Sequence, residues 1–170
     1  NEIKKFFVKK DVFIFLDYDG TLTPIVATPD LAIVSNEMRQ TVRRLADHYK
    51  VSVVSGRATE DVKAKVKIDN IFYAGSHGFE IVSPEGKVVV HTQAKASRPT
   101  IDEVHKKLTE RLKNVKGALI ENVKYTISTH YRLVSEDDFP LVKKVVENIL
   151  KEHPQLHKKK GKKVFEIRTK

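Results

Sequence analysis

Val12 to Leu16 is an unbroken apolar run that ends in two carboxylates, Asp17 and Asp19, with Gly20 and Thr21 close behind them. A run of β-branched, aromatic and aliphatic residues with no polar break is the pattern of a strand buried on both faces, as in parallel sheets. Open α/β sheets place their ligands just past the carboxyl ends of the strands. Acids released at such an end beside a glycine therefore mark where chemistry is expected.

Asn1 to Lys10 reads as a short lead-in to that strand. Behind the tip lies a loop marked by Pro24 and Pro29; Ser35 then reads as an N-cap, and Met38, Val42, Leu45, Ala46 and Tyr49 recur at helical spacing. Val51 to Val54 is a second apolar strand, with the polar tip Ser55, Gly56, Arg57. Thr59 reads as the cap of a short helix carrying Val62 and Val66, and Ile71 to Ala74 is a third strand whose tip is Gly75, Ser76, His77, Gly78. Strands alternating with helical crossovers describe a doubly wound parallel α/β sheet with the three tips at one edge.

The pattern changes near Phe79. Residues 79–91 read as a β-hairpin turned at Pro84 to Gly86, and Thr100 with Glu103 as a capping box for a helix carrying Ile101, Val104, Leu108 and Leu112. Ala118 to Glu121 follows, then an alternating strand over Tyr125 to Tyr131. A helix with acidic residues 136–138 at its start turns Val142, Val145, Val146, Ile149 and Leu150 inward and ends at Pro154; Lys163 to Ile167 is the closing strand. Hairpins and two helices on one sheet make a separate α+β unit, so the expected division is 1–78, 79–167 and a return toward the first unit at 168–170.

Composition narrows the chemistry. With no cysteine among 170 residues, disulfides, thiolate metal sites and a cysteine nucleophile are excluded, leaving oxygen-ligated hard cations as the natural cofactors. The net charge of +10 is spread along the whole chain, without the basic stripe and interleaved aromatics of a nucleic-acid binder. No apolar run is long enough for a bilayer, and residues 1–10 lack the pattern of a signal peptide, so a cytoplasmic monomer with no nucleic-acid or membrane partner is expected.

Residues i and i+2 of an extended chain point the same way, so Asp17 and Asp19 can face one small volume. One can attack phosphorus and become an aspartyl phosphate, while the other protonates the leaving oxygen and later activates water. Mg²⁺ answers the repulsion between two carboxylates through oxygen ligation. Gly20 lets backbone amides approach phosphoryl oxygens, Thr21 and Ser55 supply hydroxyl donors, and Arg57 brings positive charge to a dianionic substrate.

LDYDGTLTPI at 16–25, VVSGR at 53–57 and YAGSHGFEI at 73–81 resemble the haloacid dehalogenase superfamily of phosphotransferases, and within it the trehalose-phosphate phosphatases. The resemblance extends over 119–132 and 161–168. It implies a Rossmann-like core with an α+β cap that closes over the sugar, and hydrolysis of trehalose 6-phosphate. Asp17 is implied as nucleophile and Asp19 as acid/base, with Mg²⁺ on the Asp17 carboxylate and the Asp19 carbonyl. Carried over by position, Glu121, Arg132, Lys162 and Glu166 contact the disaccharide, and Arg57, His77 and Gly78 lie near the site.

Two departures qualify the resemblance. The family often has a lysine two residues after the glutamate, where this chain has Val123 with Lys124 beside it. Members also continue past the cap with a phosphate-binding lysine and an acidic pair that completes the metal site, whereas this sequence ends at Lys170. The chain is accordingly expected to be a piece of a longer protein. With only three parallel strands, the Val12 to Leu16 strand is expected at a sheet edge or uncovered on one side. Rival readings are a phosphatase for another sugar phosphate and a non-catalytic sugar-phosphate binder.

Overall fold

In the computed structural model, which describes residues 12–26 and 28–170, the apolar run becomes strand β1 (Phe13–Asp17). The lead-in expected over Asn1 to Lys10 lies outside the described residues. Ser35 accepts the Met38 amide at 3.1 Å and so caps α1 (Asn36–Ala46), which carries the chain to β2 (Lys50–Val54). The next helix, α2 (Thr59–Val66), has Ala58 rather than Thr59 at its N-cap, and β3 (Phe72–Gly75) follows.

β1, β2 and β3 are parallel and adjacent in that order. When the strand order runs one way, right-handed crossovers place both helices on the same face. Val42 of α1 and Val62 and Val66 of α2 accordingly pack with Ile14, Leu16, Val51, Val53 and Tyr73 on one side of the sheet. Among the described residues β1 lies at the sheet edge and is uncovered on one side, as a sheet of three parallel strands leads one to expect, rather than buried on both faces: Phe13 and Phe15, stacked 4.8 Å apart, are 39% and 68% exposed there. Tyr73 sits under the helices with its hydroxyl on the Ile68 carbonyl, and burial pushes its pKa up to about 12.

The hairpin β4 (Glu80–Val82) and β5 (Val88–Val90) forms as expected but belongs to this first sheet. β4 runs antiparallel to β3 and pairs Glu80 with Gly75. The chain divides between Val90 and His91 rather than near residue 79, because the ladder from β3 through β5 is continuous.

In the second unit α3 (Thr92–Leu112) begins eight residues before the proposed capping box and runs through Pro99. Its stripe explains why: Ala94 and Ser97 are buried in step with Ile101, Val104, Leu108 and Leu112, and that burial outweighs the amide lost at Pro99. The sheet has the order β6 (Leu119–Asn122), β7 (Thr126–His130), β9 (Val164–Thr169), β8 (Leu156–Lys160). Its helical face packs on α3 and on α4 (Phe139–Glu152) through a core that includes Ile127, Phe165, Ile167, Val146 and Ile149.

β8, with the sequence LHKKK, is not anticipated by residue type. Pairing with β9 overrides weak strand propensity, while Lys158 pairs with Glu147 at 2.6 Å and its ammonium lies 5.1 Å from the Phe165 ring. Lysines along an edge strand also discourage pairing with another chain. Residues 168–169 continue β9 rather than leading back toward the first unit.

Core and rim should respond differently to substitution. Ile127→Ala, at a fully buried position, is expected to cost about 2–5 kcal/mol, whereas Phe15→Thr on the open face should stay within about 1 kcal/mol; urea titration of each variant measures both.

Candidate active site

Alternation sends residues 17 and 19 one way and residue 18 the other. Asp17 and Asp19 are exposed and Tyr18 is wholly buried. Tyr18 fixes the tip. Its hydroxyl donates to the Ala32 carbonyl at 2.7 Å and its amide to the Val54 carbonyl at 3.0 Å. Its own carbonyl accepts from the amides of Leu22 and Thr23 and from the Thr23 hydroxyl, each at 3.1 Å. Burial raises the phenol pKa against the opposing pull of Arg57, so the hydroxyl remains a donor at neutral pH.

Gly20 turns the chain at φ +94°, in the left-handed region. Its amide is engaged by the Thr23 carbonyl at 2.9 Å, so its part at this tip is the turn itself. The amides of Asp19 and Thr21 and the Thr21 hydroxyl have no acceptor among the described residues, which makes them the donors open to an anion.

The expected meeting of tips is built from backbone bonds. The Ser55 amide donates to the Ala74 carbonyl at 2.9 Å, the His77 amide to the Ser55 carbonyl at 3.1 Å and the Ser76 amide to the Arg57 carbonyl at 2.6 Å. A Cβ on Gly56 would lie 2.6 Å from the His77 ring, so only glycine permits this approach. Ser76 and His77 adopt φ of +49° and +58°, ahead of Gly78 at +86°. Left-handed conformations at non-glycine residues cost on the order of 1 kcal/mol or more each and persist only where the surroundings hold them. The buried Ser55 hydroxyl accepts the Arg57 amide at 3.1 Å and keeps its proton for another acceptor.

Arg57 brings its positive charge to this tip already paired: its guanidinium holds both oxygens of Asp19, Nε to Oδ2 at 3.1 Å and Nη2 to Oδ1 at 2.8 Å. It also reaches Asp61 at 3.3 Å and the Pro29 carbonyl at 2.8 Å, and lies over the Tyr18 ring. Burial opposes its charge, but the hydrogen bonds and charges of Asp19 and Asp61 prevail and raise its pKa. The Asp17 carboxylate, by contrast, has no hydrogen-bond or ion-pair partner among the described residues, although the Asp17 carbonyl accepts from the Leu22 amide at 3.3 Å. Its carboxylate and the neighbouring carbonyls are hard oxygen donors of the kind Mg²⁺ takes, and Mg²⁺ commonly fills the rest of its shell with water and phosphate oxygens. Among the described residues no group of three or more acidic, histidine or cysteine side chains is placed to hold a metal on its own.

In the second unit, strand register sorts the other candidates. Glu121, Ser128, Glu166 and Lys159 form one row across β6, β7, β9 and β8, on the face opposite the helices. Glu121 and Glu166 are thus brought to one face. Glu121 does not pair with Arg132; it is bound by His130, Nε2 to Oε2 at 2.5 Å. Arg132 donates to the Lys162 carbonyl at 3.4 Å, which joins those two candidates through the backbone. Lys124 sits in the turn between β6 and β7 at φ +64°, its ammonium 5.7 Å from the Tyr125 ring centroid, so it is not a strand residue facing away from Glu121.

Tyr18, Asp61 and His130 were not singled out from residue type. Tyr18 could have been found as the apolar partner that alternation demands between two exposed acids, and His130 from the same alternation in YTISTHY. For Asp61, the available signal was its i+4 spacing from Arg57.

Residues 15–170 match the family model described as Trehalose-phosphatase. The chain is 42% identical over 171 residues to Trehalose 6-phosphate phosphatase RA3 of Zea mays, covering 94% of this chain and 47% of that protein. It therefore spans about half the length of the curated relatives it matches. In structure it is similar to a trehalose-6-phosphate phosphatase related protein, with a TM-score of 0.85 at 23% identity, covering 93% of this chain and 68% of that one. A haloacid dehalogenase-like hydrolase from B. subtilis matches with a TM-score of 0.51 at 15% identity, covering 92% of this chain and 73% of that one, a likeness of fold. With the acidic tip, the three joined strand ends and a family match over nearly its whole length, the chain belongs to the trehalose-phosphatase family.

Proposed function

We propose that the chain carries the nucleophile, the acid/base and the sugar contacts of a phosphatase that hydrolyses trehalose 6-phosphate. The reading rests on one observation: Tyr18 is buried between two exposed aspartates, so Asp17 and Asp19 share a strand tip, with a carboxylate at 17 that has no partner among the described residues. Support comes from the relatives' names and from Glu121 and Glu166 lying in one row of the second sheet.

The Asp17 carboxylate attacks phosphorus; the bond from phosphorus to the sugar O6 breaks, and Asp19 gives its proton to the departing oxygen. Asp19 then takes a proton from water, which attacks the phosphorus of the aspartyl phosphate and releases inorganic phosphate and free Asp17. Donation requires the Asp19 carboxyl to leave its two hydrogen bonds with Arg57, so Arg57 holds the acid/base in a defined resting place. The amides of Asp19 and Thr21 and the hydroxyls of Thr21 and Ser55 donate to phosphoryl oxygens. Mg²⁺, which the Asp17 carboxylate and the Asp19 carbonyl would hold, supplies charge neutralisation when bound. Glu121, Glu166, Arg132 and Lys162 hydrogen-bond sugar hydroxyls, the glutamates as acceptors and the cations as donors.

Phosphate release by the full-length protein is the test. Trehalose 6-phosphate should be preferred to glucose 6-phosphate and sucrose 6-phosphate, and Asp17→Asn should lower kcat by at least about 10³-fold, as loss of a covalent nucleophile does. Tight binding of trehalose 6-phosphate without turnover by the wild-type protein would instead identify a sensor.

Arg57→Lys keeps the charge and loses the two-point hold on Asp19. A fall of about 10- to 100-fold in kcat, with KM within about 3-fold, is expected where a general acid is misplaced; steady-state kinetics on the same substrate separates the two constants.

A further inference from the structure

We infer that His130 is a positioning residue that fixes Glu121 for sugar recognition. The inference rests on the reading of Glu121 as a sugar contact. His130 is the last residue of β7, and Glu121 lies on β6. The register pairs Glu121 with Ser128 and Leu119 with His130, so the histidine is the diagonal neighbour of the glutamate on the same face. Its Nε2 meets Glu121 Oε2 at 2.5 Å, with both side chains about one-third exposed.

A glutamate side chain that must be ordered when a sugar binds gives up rotamer freedom. Holding it beforehand removes that cost from binding. His130 binds one carboxylate oxygen and leaves Oε1 to accept from a sugar hydroxyl. His130 itself is placed by its own row, in which Leu119 and Val164 flank it on the neighbouring strands. The row that holds Glu121 continues to Glu166 and Lys159, and the next row on the same face carries Arg168 and His157. The spacing explains why a histidine serves here: the ring nitrogen reaches diagonally from one strand to the next, where serine or threonine would fall short and a lysine would bring a mobile charge.

The test is a double-mutant cycle in the full-length protein with steady-state kinetics on whichever sugar phosphate the wild type hydrolyses best. His130→Phe keeps the ring and removes the hydrogen bond; His130→Gln returns an N–H near the place of Nε2. His130→Phe is expected to raise KM about 10-fold with kcat changed by less than about 3-fold, and His130→Gln to recover most of the loss. Glu121→Gln combined with His130→Phe should be no worse in KM than Glu121→Gln alone, since the histidine acts through the glutamate. Additive losses in the double variant, an unchanged KM in His130→Phe, or equal losses in His130→Phe and His130→Gln would overturn the inference. A melting temperature for each variant separates loss of position from loss of fold. Turnover of a different sugar phosphate with the cycle intact would overturn only the choice of trehalose 6-phosphate, and absence of all sugar-phosphate turnover would overturn both readings.

Discussion

The burial of Tyr18 is the constraint on which the rest of the tip depends. A tyrosine wholly out of water must place its hydroxyl on an acceptor, and the Ala32 carbonyl at 2.7 Å is that acceptor. The side chain is thereby tied to a segment fourteen residues away, and the backbone at residue 18 cannot rotate without breaking it. With Tyr18 fixed inward at the end of β1, Asp17 and Asp19 on either side of it are left exposed. Two like charges crowded at one place would ordinarily repel. Here Arg57 binds one of them with two hydrogen bonds while the other has no partner among the described residues, so the two carboxylates differ in what they can do although they are identical in type.

Arg57 in turn depends on the tips around it. Its amide is held by the Ser55 hydroxyl, its carbonyl by the Ser76 amide, and its guanidinium by Asp19, Asp61 and Pro29. Ser76 reaches Arg57 only because the chain turns left-handed at residues 76–78, and His77 can lie against residue 56 only because that residue is glycine. Strain at two non-glycine residues is thus balanced by a set of backbone hydrogen bonds at the strand ends. The consequence is a rigid frame at the strand ends, and preorganised donors are worth most where charge develops during a reaction.

Much of the frame was legible from residues alone. The apolar strands, Ser35 as a cap, the three tips and the stripe of α4 all follow from local pattern, and local pattern is where propensity and burial agree. The failures have a common cause. The start of α3 ahead of Pro99, the strand LHKKK and the placement of the hairpin in the first sheet are each decided by partners distant in sequence, which override propensity. The same is true of the site. Residue type and spacing single out Asp17, Asp19, Ser55 and Arg57 as candidates, but the pairing of Arg57 with Asp19 and Asp61 is not visible there, because those two acids lie in different elements.

Strand geometry also accounts for the distribution of charge in the second unit. A sheet packed on helices through one face must collect its polar residues on the other, and the register of four strands turns that collection into ordered rows. A shift of one residue in β9 would exchange Glu166 with Phe165 or Ile167, burying a charge and exposing an apolar side chain. The hydrophobic core of this unit therefore does more than stabilise it: by fixing register, it determines which acids and bases stand side by side on the open face. Under the proposed function that order would matter, because acceptors and donors at fixed spacing discriminate among sugars where mobile side chains would not.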